Sequence, residues 1–217
     1  MIFQYGNEEI QYLKKKDKRL GEAIDIIGHI ERPVYADLFS AVIYTIVGQQ
    51  ISAAALETVW CRLCAMLGEV NAENIHESGE ALLQSAGITF KKAGYMKNFA
   101  SQVISGEFNL AGQPLKSDGE VVKELSALSG LGAWSAEMIM LFAMERPDIL
   151  SYGDLAIHRG MRMLYHHKNI DKNLFEKYRK RYSPYASVAS LYLWVISAGA
   201  IPEMKDFAPP KKKGAKK

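Results

Sequence analysis

Asp154 stands directly before Leu155-Ala156-Ile157-His158-Arg159, a segment with helical spacing. An Asp in that place has two physical uses. As a helix N-cap, its side chain accepts a backbone N–H and contributes about 1 kcal/mol. As an ionised carboxylate, it stabilises positive charge developing on a sugar carbon while a glycosidic bond breaks, because that transition state is oxocarbenium-like. The residue alone leaves both uses open, and it leaves open whether the carboxylate also activates water.

Four further groups have chemistry in their types and spacing. Leu125-Ser126-Ala127-Leu128-Ser129-Gly130-Leu131-Gly132-Ala133-Trp134-Ser135-Ala136 joins two helical segments through a tight Gly-x-Gly turn. Glycine lets the backbone come close to a ligand, and the second helix then offers N–H groups and a positive dipole end to a phosphate. Such a clamp grips DNA without reading its sequence; an ordinary helix pair closed by a glycine turn has the same pattern. Trp134 and Trp194 are candidates for stacking an extruded base, with core packing as the alternative. Gln49 and Gln50 interrupt an apolar helical pattern, which points to a helix end or turn, because buried amides without partners are costly. A residue there is placed to fill the gap left by a flipped nucleotide. Lys91 and Lys92 are candidate phosphate contacts, with a solvated face as the alternative.

The elements carrying these residues read as helical nearly throughout. Apolar residues recur at helical spacing through Leu38, Val42 and Ile46 and again through Ala55, Val59 and Leu63. Helical segments follow from Phe90 to Ile104, after Ser117-Asp118-Gly119-Glu120, over Ala133 to Phe142, Leu155 to Tyr165, Lys172 to Tyr182 and Tyr185 to Ile196. Alternating strand patterns bounded by hairpin turns are nearly absent. The expected fold class is all-α, with helical signals lapsing between Pro147 and Gly153.

Composition narrows the function classes. The chain of 217 residues is 48% hydrophobic and carries a formal charge of +3. Five lysines lie in Lys211 to Lys217, and without them the charge is −2. DNA contact therefore relies on local patches, and the tail after Pro209-Pro210 is expected to be disordered. No apolar run has the length of a membrane span, and Met1 to Gly6 lacks signal-peptide character; with only two cysteines the chain is expected in a reducing cytoplasm. Cys61 and Cys64, the whole cysteine inventory, are expected to be core packing residues.

In their order along the chain these segments resemble the helix-hairpin-helix (HhH-GPD) DNA glycosylase superfamily, and within it the 3-methyladenine DNA glycosylase II type. The resemblance is carried by Ile46-Val47-Gly48-Gln49-Gln50-Ile51-Ser52, by Leu83-Gln84-Ser85-Ala86-Gly87-Ile88 with Lys91-Lys92-Ala93, and by Leu128 through Ala136. It continues in Gly153-Asp154-Leu155-Ala156-Ile157 and in Tyr182-Ser183-Pro184-Tyr185-Ala186-Ser187 running on to Leu193-Trp194.

The resemblance implies two helical lobes with an active-site cleft between them. One lobe would span residues 36–148 and hold the hairpin; the other would join 1–35 to 149–208, with a basic tail over 209–217. It implies that Asp154 is the catalytic aspartate and that Trp134, Met138 and Trp194 line the pocket. Gln49 and Gln50, the hairpin residues Gly130, Gly132 and Ala133, and Lys91 and Lys92 would contact DNA. The backbone carbonyls of Ser126, Leu128 and Leu131 would hold a sodium or potassium ion.

The implied activity is hydrolysis of the N-glycosidic bond of a flipped alkylated purine, 3-methyladenine or 7-methylguanine, in double-stranded DNA containing damaged bases, by a monomer. Bifunctional relatives carry a lysine where Trp134 stands, so no AP-lyase activity is expected. Two cysteines cannot hold the iron–sulfur cluster of other branches. Hypoxanthine or ethenoadenine as the lesion, and a non-catalytic lesion-binding module, are the alternatives.

Overall fold

The computed structural model describes residues 1–35 and 37–209. The basic tail expected over 209–217 lies, from Pro210 onward, outside the described residues. Among the described residues there are twelve α-helices and no strand beyond isolated bridge residues. They are α1 (Asn7–Lys16), α2 (Lys18–Ile27), α3 (Leu38–Gly48), α4 (Ala53–Leu67), α5 (Ala72–Glu77), α6 (Glu80–Ser85), α7 (Phe90–Ile104), α8 (Asp118–Ala127), α9 (Ala133–Phe142), α10 (Leu155–Tyr165), α11 (Lys172–Tyr182) and α12 (Ala186–Ser197). None is long and apolar enough to cross a membrane.

Side-chain caps set many of the starts. Ser52, Asn71, Thr89 and Asp171 each accept an amide of the first turn of α4, α5, α7 and α11. Ser117 and Glu120 form a reciprocal capping box on α8. The apolar pattern from Leu38 to Leu63 is not one helix. It breaks at Gln49–Ser52, where Gln50 takes the left-handed conformation at φ +57°.

The chain divides into two compact units. One comprises Met1 and residues 33–145; the other comprises residues 2–32 and the chain from Arg146. The breaks fall a few residues earlier than 36 and 148. The reason is that Arg146, Pro147 and Asp148 are bonded to the start of α12. The Arg146 and Pro147 carbonyls accept from the Ser187 hydroxyl (2.5 Å) and amide (3.0 Å), and Asp148 accepts from the Ser183 hydroxyl (2.6 Å) and the Ala186 amide (3.2 Å).

The first unit is built on α3, which packs against α4, α7 and α9 through buried Val42, Ile43 and Ile46. Phe39 stacks on Phe99 at 5.1 Å. Cys61 and Cys64 correct their expected core role: α4 leaves Cys61 exposed and Cys64 half-buried.

The second unit is centred on α10 against α12. Its crossing is close because Gly160 has no side chain. A Cβ there would stand 2.2 Å from the Leu193 carbonyl oxygen. A buried polar cluster joins the short helices to this pair. Asp17 accepts from the Leu20 amide (3.0 Å), the Tyr165 hydroxyl (2.9 Å) and the Arg181 guanidinium (2.5 Å). Burial pushes the Tyr165 and Tyr182 phenols well above their usual range, so both stay neutral donors.

Candidate active site and DNA-contact elements

Asp154 is only 6% exposed and sits at the N-cap of α10. Its Oδ1 accepts the amides of Ala156 (2.8 Å) and Ile157 (2.9 Å). Its Oδ2 accepts the indole N–H of Trp194, from α12, at 3.2 Å. These three groups donate, and a carboxylate oxygen accepts. The two uses of this Asp are therefore compatible: one oxygen caps the helix, and the other faces a side chain.

Two neighbours complete this corner. Tyr152 lies in the preceding loop, where its carbonyl meets the His158 ring nitrogen at 2.8 Å, and its ring packs edge-on to Phe175. Leu155, the first residue of α10, is 84% exposed. The Asp154–Trp194 contact requires α10 and α12 to meet closely, and Gly160 allows it. Nothing in the type of Trp194 forecast this bond. Gly160 did carry a signal, because a glycine inside a helical run costs about 1 kcal/mol against alanine and marks a close approach.

The first unit gathers most of the remaining expected residues. The side-chain amide of Gln49 donates to the carbonyl of Gly130, linking the α3–α4 turn to the hairpin between α8 and α9. Lys92, on α7, donates from Nζ to the carbonyls of Val47 (2.8 Å) and Gln49 (2.7 Å). These belong to the end of α3, where carbonyls lack helical partners. Burial lowers the Lys92 ammonium below its ordinary range. Lys92 was expected to touch phosphate, but its ammonium is held against this turn. Lys91 lies 5.8 Å above the Tyr95 ring. That ring packs so closely on the hairpin that a Cβ on Gly130, at φ +89°, would stand 2.4 Å from it. The sequence did not single out Tyr95, which packs against the hairpin.

Gly132 is the N-cap of α9 and brings no side-chain oxygen to its first turn, and Ala133 opens the helix exposed. Trp134 follows, 48% exposed, with Met138 half-buried one turn on. Trp134 and Met138 belong to one unit, Asp154 and Trp194 to the other. Ser126, Leu128 and Leu131 lie at the end of α8 and in the hairpin turn. The Leu131 amide donates to the Leu128 carbonyl at 3.1 Å, and the Ser126 hydroxyl is buried without a hydrogen-bond partner. Among the described residues no group of three or more His, Cys, Asp or Glu side chains is placed to hold a metal.

The sequence model of the HhH-GPD superfamily base excision DNA repair proteins matches residues 43–184. The chain is 23% identical over 177 residues to the DNA-3-methyladenine glycosylase 1 of Schizosaccharomyces pombe, covering 79% of this chain and 75% of that protein. Among solved structures, it is similar to a DNA-3-methyladenine glycosidase from Bacillus halodurans, with a TM-score of 0.84, 29% identity and coverage of 95% and 97% of the two chains. It shares its fold with S. pombe Mag1 in complex with abasic DNA, with a TM-score of 0.76, 23% identity and coverage of 88% and 97%.

Proposed function

The chain belongs to the HhH-GPD superfamily of base excision DNA repair proteins, and from that premise we propose that it is a monofunctional DNA glycosylase for alkylated purines. The observation that carries the proposal is Asp154, a buried carboxylate with one oxygen capping α10 and the other on the Trp194 indole. Relatives named DNA-3-methyladenine glycosylase in yeast and bacteria support the same reaction class. A relative bound to abasic DNA supports DNA as the partner.

In this mechanism the hairpin and the start of α9 take a backbone phosphate. Gln50 enters the base stack and the damaged nucleotide rotates out, at least cost where its pair is already weakened. Trp134 and Met138 in one unit and Trp194 in the other are the residues that the resemblance assigns to base binding, and aromatic faces favour a cationic purine. The Asp154 charge stabilises the oxocarbenium-like sugar as the C1′–N bond breaks. The electron pair of that bond leaves with the base. Water adds at C1′ and loses its proton, giving free base and an abasic site. A methylated purine with positive charge is a good leaving group, so little acid assistance is needed. Trp134, standing where bifunctional relatives carry lysine, has no amine to form a Schiff base, so the strand is left intact.

A monovalent cation is part of this proposal. The residues fit it: Ser126 lies in the last turn of α8, where carbonyls have no helical donor, and the Leu128 carbonyl keeps a lone pair beyond its bond to Leu131. With that of Leu131, these carbonyls would hold the ion, and the ion would supply positive charge for a phosphate.

The test is chromatography of bases released from methylated duplex DNA, with borohydride added to trap any Schiff base. Release of 3-methyladenine and 7-methylguanine without trapping is expected. No release of these bases would remove methylated purines, and hypoxanthine and ethenoadenine substrates would decide between the alternative lesions and a binding module.

A further inference from the structure

The α3–α4 turn carries a strained residue in an exposed place. Gln50 has φ +57°, a conformation that L-residues other than glycine adopt only when their surroundings enforce it. Two side chains supply that enforcement. Lys92 reaches from α7 to the Val47 and Gln49 carbonyls, on the chain just before Gln50. Gln49 reaches to the Gly130 carbonyl of the hairpin. The hairpin is fixed in turn, because the Tyr95 ring, on the same α7 as Lys92, packs against Gly130. Helix α7, the turn and the hairpin thus form one braced assembly within the first unit.

We infer that Lys92 and Gln49 are positioning residues for base extrusion: they hold Gln50 in its strained conformation and tie it to the hairpin that grips phosphate. This rests on the glycosylase reading above. The ammonium does its work on protein carbonyls, and its removal leaves the end of α3 without these donors. The consequence is specific to paired DNA. A braced Gln50 matters when a base must be forced from a stack, and much less when the base is already unpaired.

The experiment compares base release from methylated DNA offered as duplex and as the same DNA heat-denatured. It uses the full chain, Lys92→Met, Lys92→Arg and Gln49→Ala, with melting temperatures measured alongside. Lys92→Met should lower duplex release by about tenfold, the scale of lost hydrogen bonds to a charged group, while release from denatured DNA falls far less. Lys92→Arg, which can still donate to both carbonyls, should recover part of the duplex rate. Gln49→Ala, which removes one bond from the turn, should shift the ratio the same way by a smaller factor, and it carries the test alone if Lys92→Met does not fold. Equal loss on both substrates, or an unchanged duplex rate, would overturn the inference while leaving the glycosylase reading intact. No release by the parent chain from either substrate would overturn both.

Discussion

Asp154 is buried, holds three N–H donors and sits on a helix pair that meets backbone to side-chain-free glycine. Gln50 is exposed, its backbone lies at φ +57°, and the carbonyls and side chain just before it are held by Lys92 and Gly130. The first region is buried and closely packed. The second is held against its own preference by polar bonds that water can compete for. The difference matches the tasks proposed for them. A charge that stabilises a sugar cation works best when fixed in advance and shielded from water. A residue that must enter a base stack has to be exposed before DNA arrives.

The largest effect on stability is expected from Gly160→Ala. The added Cβ meets the Leu193 carbonyl, which is backbone and cannot swing aside. Overpacking of this kind should cost about 3 kcal/mol, lowering the melting temperature by roughly 10 °C. Because α10 and α12 must then separate, base release should fall as well. A melting curve that does not move would show that the packing around Asp154 is looser than described.

Trp194→Phe is a milder cut. It keeps an aromatic face for the base but removes the N–H that Asp154 Oδ2 accepts. If Trp194 acts by orienting the carboxylate, kcat should fall by about tenfold with KM little changed. A raised KM at constant kcat would instead make Trp194 purely a base-stacking residue.

Gln50→Gly should give the smallest change in stability, and of opposite sign. Relief of the left-handed strain exceeds the extra freedom of unfolded glycine by about 0.5 kcal/mol, so the melting temperature should rise by roughly 1–2 °C. Duplex base release should nonetheless fall. A drop in melting temperature would mean that Gln50 is not strained in solution.

The helices were legible in the sequence where caps and apolar spacing agreed. Ser117 with Glu120 marked α8, and Asp154 marked α10. The hairpin glycines and the interruption at Gln49-Gln50 were visible for the same reason, since their types are poorly suited to a continuing helix. What could not be read was which long side chain meets which distant group. Lys92 looked like a phosphate contact because charge alone does not show that two carbonyls lie within its reach. Asp17 stands in the basic run Lys14 to Arg19, and nothing in that run shows that it is buried under Arg181 and Tyr165. Trp194 looked like a stacking surface, and its indole N–H was found on Asp154. Each of these depends on partners far away in the chain, and no local pattern encodes them.

If the Asp154 charge drives bond cleavage, Asp154→Asn should abolish most of the activity without unfolding the protein, because asparagine still caps α10. Release of methylated bases from duplex DNA should fall by about 10³-fold, while the melting temperature and DNA binding at moderate salt stay close to those of the parent. A variant that binds DNA and releases bases at the parent's rate would make Asp154 a helix cap and nothing more.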